Sequence, residues 1–276
     1  KYIYDTHDNG HWELLNISNK RPIDSIFLPN DVKDMLISRV RSFVSDETKA
    51  EYGKFNVPYK MNILLHGLPG TGKTSCIHAL ASEIESDIGI IHFSRSLDDT
   101  KFTRAINTLA DVDKCRIIIL EDIDSLFSDE RKAHDTSRNN VTMSGILNCL
   151  DGLARNEGII LFMTTNDRKV LKDSAFTRSC RIDIEIEFKE ANEDQIYDMI
   201  SYYFPEQAKA YAREDLVAPY VDYGTGTTTA LLQTFFFLNR NCKDIRKLKK
   251  EYKQFMDGAE LDDALSSTNK QNAMYM

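Results

Sequence analysis

Short apolar runs alternate with longer amphipathic stretches through the first two thirds of the chain. This is the pattern of a parallel sheet covered by helices on both faces. The runs Asn62–His66, Gly89–Phe93, Cys115–Leu120, Gly158–Thr164 and Arg181–Phe188 read as five strands. The last alternates strictly, with Ile182, Ile184, Ile186 and Phe188 on one face and Asp183, Glu185 and Glu187 on the other. That predicts an edge strand with one solvated face. Gly72–Glu85 and Val141–Leu153 read as helices, and the polar, aperiodic Ser128–Asn140 as an exposed loop. After Phe188 the character changes. Asn192 with Gln195 three residues on predicts a helix N-cap, and Ile196, Met199 and Ile200 follow at helical spacing. Thr227–Leu238 and Lys243–Phe255 continue as helices, and the tail beyond Asp262 as frayed chain. The division expected is an α/β core over 18–188 and a small all-helical lid and tail over 189–276, with 1–17 standing before both.

The chemistry sits at strand ends. Gly67-Leu68-Pro69-Gly70-Thr71-Gly72-Lys73-Thr74, followed by Ser75, joins the first strand to a helix. Backbone N–H groups from Gly70 to Thr74 at a helix N-terminus make a cradle for a β-phosphate. Lys73 is placed to reach the β/γ-phosphates of ATP and the Thr74 hydroxyl to coordinate Mg²⁺. The third strand runs Ile117-Ile118-Ile119-Leu120 into Glu121-Asp122-Ile123-Asp124. Carboxylates at the carboxyl end of a buried strand lie where open α/β sheets bind ligands. By position Glu121 takes the metal-side role and Asp122 the water-polarising role, while Asp124 reads as structural, holding the loop that follows. Thr165-Asn166 ends the next strand, and an amide there can bond both an attacking water and a γ-phosphate. Arg178 and Arg181 follow; taken alone they read as surface ion pairs, Arg181 with Asp183 for example, although guanidinium groups also suit the charge on a transferring phosphoryl.

Together the phosphate loop, the acidic strand end, Asn166, the spaced arginines and the helical lid resemble the AAA ATPases. The resemblance implies a P-loop NTPase fold with a parallel five-stranded sheet and an all-helical lid. It also implies a hexameric or heptameric homo-oligomeric ring in which Arg178 and Arg181 act on the neighbouring subunit's nucleotide. Val141–Gly152, Phe162-Met163-Thr164-Thr165-Asn166 and Leu120-Glu121-Asp122-Ile123-Asp124 narrow it further. They are similar to the branch of the mitochondrial chaperone that translocates the folded Rieske iron–sulfur protein during respiratory complex III assembly. Thr229-Ala230-Leu231-Leu232-Gln233 resembles that branch's lid helix, with Thr229 where a proline is usual. The Glu-Asp order is normal for the branch, whereas Ser179-Cys180 and Leu68 depart from its pattern. The resemblance implies ATP hydrolysis coupled to movement of a protein substrate and makes 1–17 the remnant of a branch-specific N-terminal domain. It also implies a mitochondrial inner-membrane setting, through a segment upstream of Lys1; without the narrower resemblance the setting reads as cytoplasmic.

Composition narrows the alternatives. A net charge of -8 argues against a surface that wraps nucleic acid, so a nucleic-acid-associated ATPase ranks behind a protein-directed one. An ATP-binding scaffold without turnover is the third possibility. The five cysteines lie far apart without a C-x-x-C pair, which fits reduced thiols in an intracellular setting. No apolar run approaches the roughly 18 residues of a membrane span. Ser94–Thr100 lacks the aromatic–apolar–glycine trio that ring unfoldases use to grip an extended chain, which points to a folded cargo.

Overall fold

The computed structural model describes residues 2–6, 11–94, 96–109, 115–126, 141–150, 157–171, 181–221 and 227–258. Arg178, the predicted loop Ser128–Asn140 and the tail beyond Asp262 lie outside them. Two compact units divide the chain, Lys1–Lys189 and Glu190–Met276.

In the first unit the strands are β1 (Tyr2–Thr6), β2 (Trp12–Ile17), β3 (Lys60–Gly67), β4 (Asp87–Ile91), β5 (Cys115–Leu120), β6 (Ile159–Thr165) and β7 (Ile184–Phe188). They form one sheet in the order β2-β1-β4-β5-β6-β3-β7. The five strands from β4 to β7 in that order are parallel neighbours, as the apolar runs predict. The first strands extend this sheet: β1 pairs in parallel with β4, and β2 closes the edge antiparallel to β1. Trp12 pins the extension, its indole N–H donating to the Ala105 carbonyl at 2.8 Å.

The core strands read as unbroken apolar runs because both faces are covered. Ile63, Leu65, Ile117, Ile119, Ile160 and Phe162 pack beneath α1 (Asn30–Phe43) and α3 (Lys73–Glu83). Leu64, Ile118, Leu120, Leu161 and Met163 pack on the opposite face, against α4 (Asp99–Leu109) and α5 (Met143–Leu150). A short helix, α2 (Asp46–Phe55), capped by Ser45, precedes β3.

Several boundaries differ from the sequence reading by a residue or two, β3 for example beginning at Lys60 rather than Asn62, and three differences have a local cause. The second strand starts and ends two residues earlier, because Asp87 is buried beside Cys115 while Phe93 leaves the sheet to lie near Phe102. The helix after the phosphate loop stops at Glu83, and Glu85 turns left-handed at φ 54°. The last core strand begins at Ile184 rather than Arg181. Here Ile182 packs with the α4 face and Ile184 with the α1 face, so residues two apart lie on opposite sides of the sheet. A continuous strand cannot do that.

The second unit is helical throughout its described residues: α6 (Glu193–Tyr203), α7 (Pro205–Ala210), α8 (Arg213–Val221), α9 (Thr229–Leu238) and residues 249–258. The predicted cap is present, with the Asn192 side chain accepting from the Gln195 amide at 2.9 Å and the Gln195 side chain accepting from the Asn192 amide at 3.1 Å. Tyr220, Phe235, Phe236 and Tyr252 form its aromatic centre, with ring centroids 4.9–5.1 Å apart in the closest pairs. Both buried tyrosine hydroxyls are bonded, Tyr220 donating to the Ile245 carbonyl and Tyr252 paired with Thr227. The predicted helix from Lys243 begins as a 3-10 turn, Ile245–Leu248, because the Asp244 side chain caps it at Arg246.

Candidate active site

The site is assembled at the carboxyl ends of β3, β5 and β6, which register places side by side. His66 lies opposite Thr165, and Leu120 opposite Met163. From β3 the chain turns through Gly67, Gly70 and Gly72, at φ 129°, 76° and 95°, values that side-chain-bearing residues rarely adopt. Gly67 has a second constraint: a Cβ there would sit 2.0 Å from the Phe188 carbonyl oxygen on β7. The loop tightens on itself where Thr71 donates to the Leu68 carbonyl at 2.7 Å, and α3 begins at Lys73.

Lys73 is 7% exposed, and its ammonium donates to the Gly67 carbonyl at 2.7 Å, the Leu68 carbonyl at 2.9 Å and the Asn166 Oδ1 at 2.9 Å. Burial lowers its pKa, against the opposing pull of Asp122 and Asp124. The amide of Asn166 continues the chain, its Nδ2 donating to Asp122 Oδ1 at 3.1 Å. Asn166 therefore joins the phosphate-loop lysine to the Asp122 carboxylate. Asp122 itself is left-handed at φ 48°, a conformation that costs a non-glycine residue about 1–3 kcal/mol. Its amide donates to the Thr164 hydroxyl at 3.1 Å. Asp124 accepts from the Asn166 amide at 3.3 Å and so holds the asparagine's turn; most of the loop after it lies outside the described residues.

Thr74 donates its hydroxyl to Glu121 Oε1 at 3.0 Å. No group of three or more His, Cys, Asp or Glu suited to a metal occurs among the described residues. One hydroxyl and one carboxylate are not a cage, but they suit Mg²⁺, which keeps waters and substrate phosphate oxygens in its shell. The residues present fit the ion.

Behind the loop lies a polar cluster that the strand pattern does not announce. Arg168 binds Glu185 through two bonds, Nε to Oε1 at 2.6 Å and a terminal nitrogen to Oε2 at 3.1 Å, and His66 Nε2 lies 3.2 Å from the same Oε1. The Arg168 bonds hold the Glu185 carboxyl below its ordinary range, while burial outweighs Glu185 and Glu187 and lowers His66. Arg181 is half-buried, and its carbonyl accepts from the Asn62 side chain at 2.9 Å. The Asp183 carboxylate accepts from the Asn62 backbone amide at 2.7 Å. The Asp183 side chain is therefore turned to β3. Thr164, Arg168, Asn62 and Glu185 were not flagged by sequence reasoning. A hydroxyl at the end of an apolar strand beside the acidic pair, and an amide inside an apolar run, are the signals that could have found Thr164 and Asn62.

Comparison with known proteins gives a consistent answer. Residues 63–190 match the ATPase family associated with various cellular activities, AAA. The probable mitochondrial chaperone BCS1-A of Dictyostelium discoideum is 37% identical over 210 residues, 73% of this chain and 48% of that protein. The mitochondrial chaperone BCS1 of Homo sapiens is 30% identical over 228 residues, 80% of this chain and 53% of that one. The AAA-ATPase At3g50940 of Arabidopsis thaliana is 31% identical over 226 residues, 75% and 48%. The chain spans about half the length of the relatives it matches. No helix among the described residues is long and apolar enough to cross a membrane.

Proposed function

Because this chain belongs to the AAA family of ATPases, with BCS1-type chaperones among its relatives, we propose that it hydrolyses ATP as one subunit of a homo-oligomeric ring, and that turnover drives the translocation, assembly or remodelling of a folded protein. The observation that carries this reading is the bonded chain Lys73–Asn166–Asp122 beside the pair Thr74–Glu121. Charge develops on a transferring phosphoryl group, and catalysis of its transfer is mostly positioning and electrostatic stabilisation.

Each residue then has a distinct task. The loop from Gly67 to Ser75 holds the triphosphate, with Lys73 exchanging its carbonyl partners for β/γ-phosphate oxygens. Thr74 and Glu121 would hold Mg²⁺, which when bound would neutralise phosphate charge. Asp122 orients and deprotonates the attacking water, and Asn166 carries the change in phosphate occupancy to Asp122. Arg178 and Arg181 stabilise the charge on the neighbouring subunit's nucleotide, in a ring of six or seven. Loss of the γ-phosphate frees a rigid-body rotation between subunits.

A folded cargo is supported by Leu97, the apolar side chain of the stretch after the second core strand. It is 1% exposed and lies in the core, so among the described residues of Ser94–Thr100 no apolar side chain is offered to an extended chain. The names of its chaperone relatives favour mitochondria, and the inner membrane with an anchor upstream of Lys1 is the finer reading. Residues 1–17 would then end a branch-specific N-terminal domain, with 18–188 as the nucleotide core and 189–276 as the lid. The test is phosphate release across protein concentration. Specific activity should climb as rings assemble, and Asp122→Asn should keep ATP bound while turnover falls at least about 100-fold. Constant specific activity at every concentration, or full turnover by Asp122→Asn, would overturn the proposal.

A further inference from the structure

The last core strand stops short where the sequence pattern continues, and what stops it is Asn62. It is 2% exposed, between Met61 and the apolar run Ile63–Leu65 of β3, and a buried amide is costly unless bonded. Its Nδ2 donates to the Arg181 carbonyl at 2.9 Å. Its backbone amide donates to Asp183 Oδ2 at 2.7 Å, and its carbonyl accepts from the Asp183 amide at 2.9 Å. A carboxylate thus takes the place of a strand carbonyl, the ladder ends, and regular pairing begins only at Ile63 with Ile184. That substitution is why Ile182 crosses to the opposite face from Ile184 and why Arg181 leaves the sheet.

We propose that Asn62 and Asp183 are positioning residues, a three-bond clamp that sets the pose of Arg181 on the strand carrying the subunit's own phosphate loop. The proposal rests on the trans-arginine reading above and deepens it. Asn62 stands five residues before Gly67, about 17 Å along one strand. That strand is held on one side by seven registered pairs with β6 and on the other by five with β7. So braced, β3 moves as a unit. A shift of Gly67 with nucleotide state is passed to Arg181, and through it to the next subunit's site. The arginine that a subunit lends is thereby tied to the nucleotide it holds.

The test is a double-mutant cycle on assembled rings. Asp183 is exposed, so Asp183→Ala leaves the core intact; Asn62→Ala is its buried counterpart. Each should lower kcat about 10- to 100-fold with KM for ATP and nucleotide affinity little changed, the cost of a misplaced catalytic group. Asp183→Asn, which keeps an oxygen acceptor for the Asn62 amide, should restore most of the loss. Combined with Arg181→Ala, Asp183→Ala should add no further loss, because both act through one guanidinium. If Arg181→Ala abolishes turnover but the clamp variants are neutral, or multiply its effect, the clamp is refuted and the trans-arginine reading stands. If Arg181→Ala turns over normally, the arginine's role falls and the clamp with it.

Discussion

Gly67→Ala separates what the loop glycines do for folding from what they do for phosphate. The residue is at φ 129°, and an added Cβ would meet the Phe188 carbonyl oxygen at 2.0 Å, the carbon at 2.9 Å and the nitrogen at 3.1 Å. These are backbone atoms of the neighbouring strand, so no side chain can swing aside. Holding a non-glycine residue in such backbone costs about 1–3 kcal/mol. Relieving the contact means moving the end of β7 by about an ångström, which breaks about two ladder hydrogen bonds at about 1 kcal/mol each. The sum, about 3–5 kcal/mol, corresponds to a fall in melting temperature of about 6–20 °C for a unit of this size. Scanning calorimetry measures it in the absence of nucleotide. Gly53→Ala is the control, since nothing lies within 4 Å of that position in the last turn of α2, and it should stabilise by up to about 0.5–1 kcal/mol. If Gly67→Ala melts with the parent, the close approach of β3 and β7 is wrong, and the glycine serves the ligand alone.

Two further outcomes follow from the titratable groups whose environment shifts them. Burial pushes the thiols of Cys76 and Cys115 up to about 12, so at pH 8 only about one in ten thousand is thiolate. Under native conditions peptide mapping after alkylation should find both unlabelled and the half-buried Cys242 modified; prompt labelling of Cys115 would mean that β5 opens. Acid should destabilise the first unit in two stages. His66 is lowered from its ordinary 6.5, so the unfolded chain takes up that proton first and stability begins to fall below pH 6.5. Glu185 is lowered from 4.5, so its contribution is present above 4.5 and lost as pH falls through the depressed folded value. Urea midpoints measured against pH should show the second stage disappear in Glu185→Gln, and an unchanged profile would refute the Arg168–Glu185 brace.

How much was legible beforehand depended on whether a feature is local. Five core strands and the phosphate loop announce themselves through apolar runs and glycine spacing, and the Asn192–Gln195 cap through two residues alone. The helices α1, α2 and α4 were passed over although their signals were present. Leu36, Val40 and Phe43, and Phe102, Ala105, Ile106 and Leu109, are buried at helical spacing, with Ser45 as a cap. Their strongly polar outer faces diluted the pattern. Other features are not local at all. The Asp183 carboxylate bonds a residue 121 positions away, and Arg168 meets Glu185 only because β3 lies between β6 and β7. Alternation extended the last strand to Arg181 because periodicity cannot register that a side chain has replaced a ladder bond. The N-terminal hairpin was likewise invisible, since its place depends on the open edge of β4.

The central claim, that cleavage in one subunit requires cations from the next, is tested most directly by mixing two inactive proteins. Asp122→Asn keeps both arginines beside a dead site, and Arg178→Ala/Arg181→Ala keeps a sound site without arginines to lend. Each alone should hydrolyse ATP at least about 100-fold more slowly than the parent. After equimolar reassembly, about a quarter of interfaces pair a sound site with intact arginines, and phosphate release should return to about that fraction of the parental rate. A mixture no faster than its components, or an arginine-free ring that turns over unaided, would contradict the account.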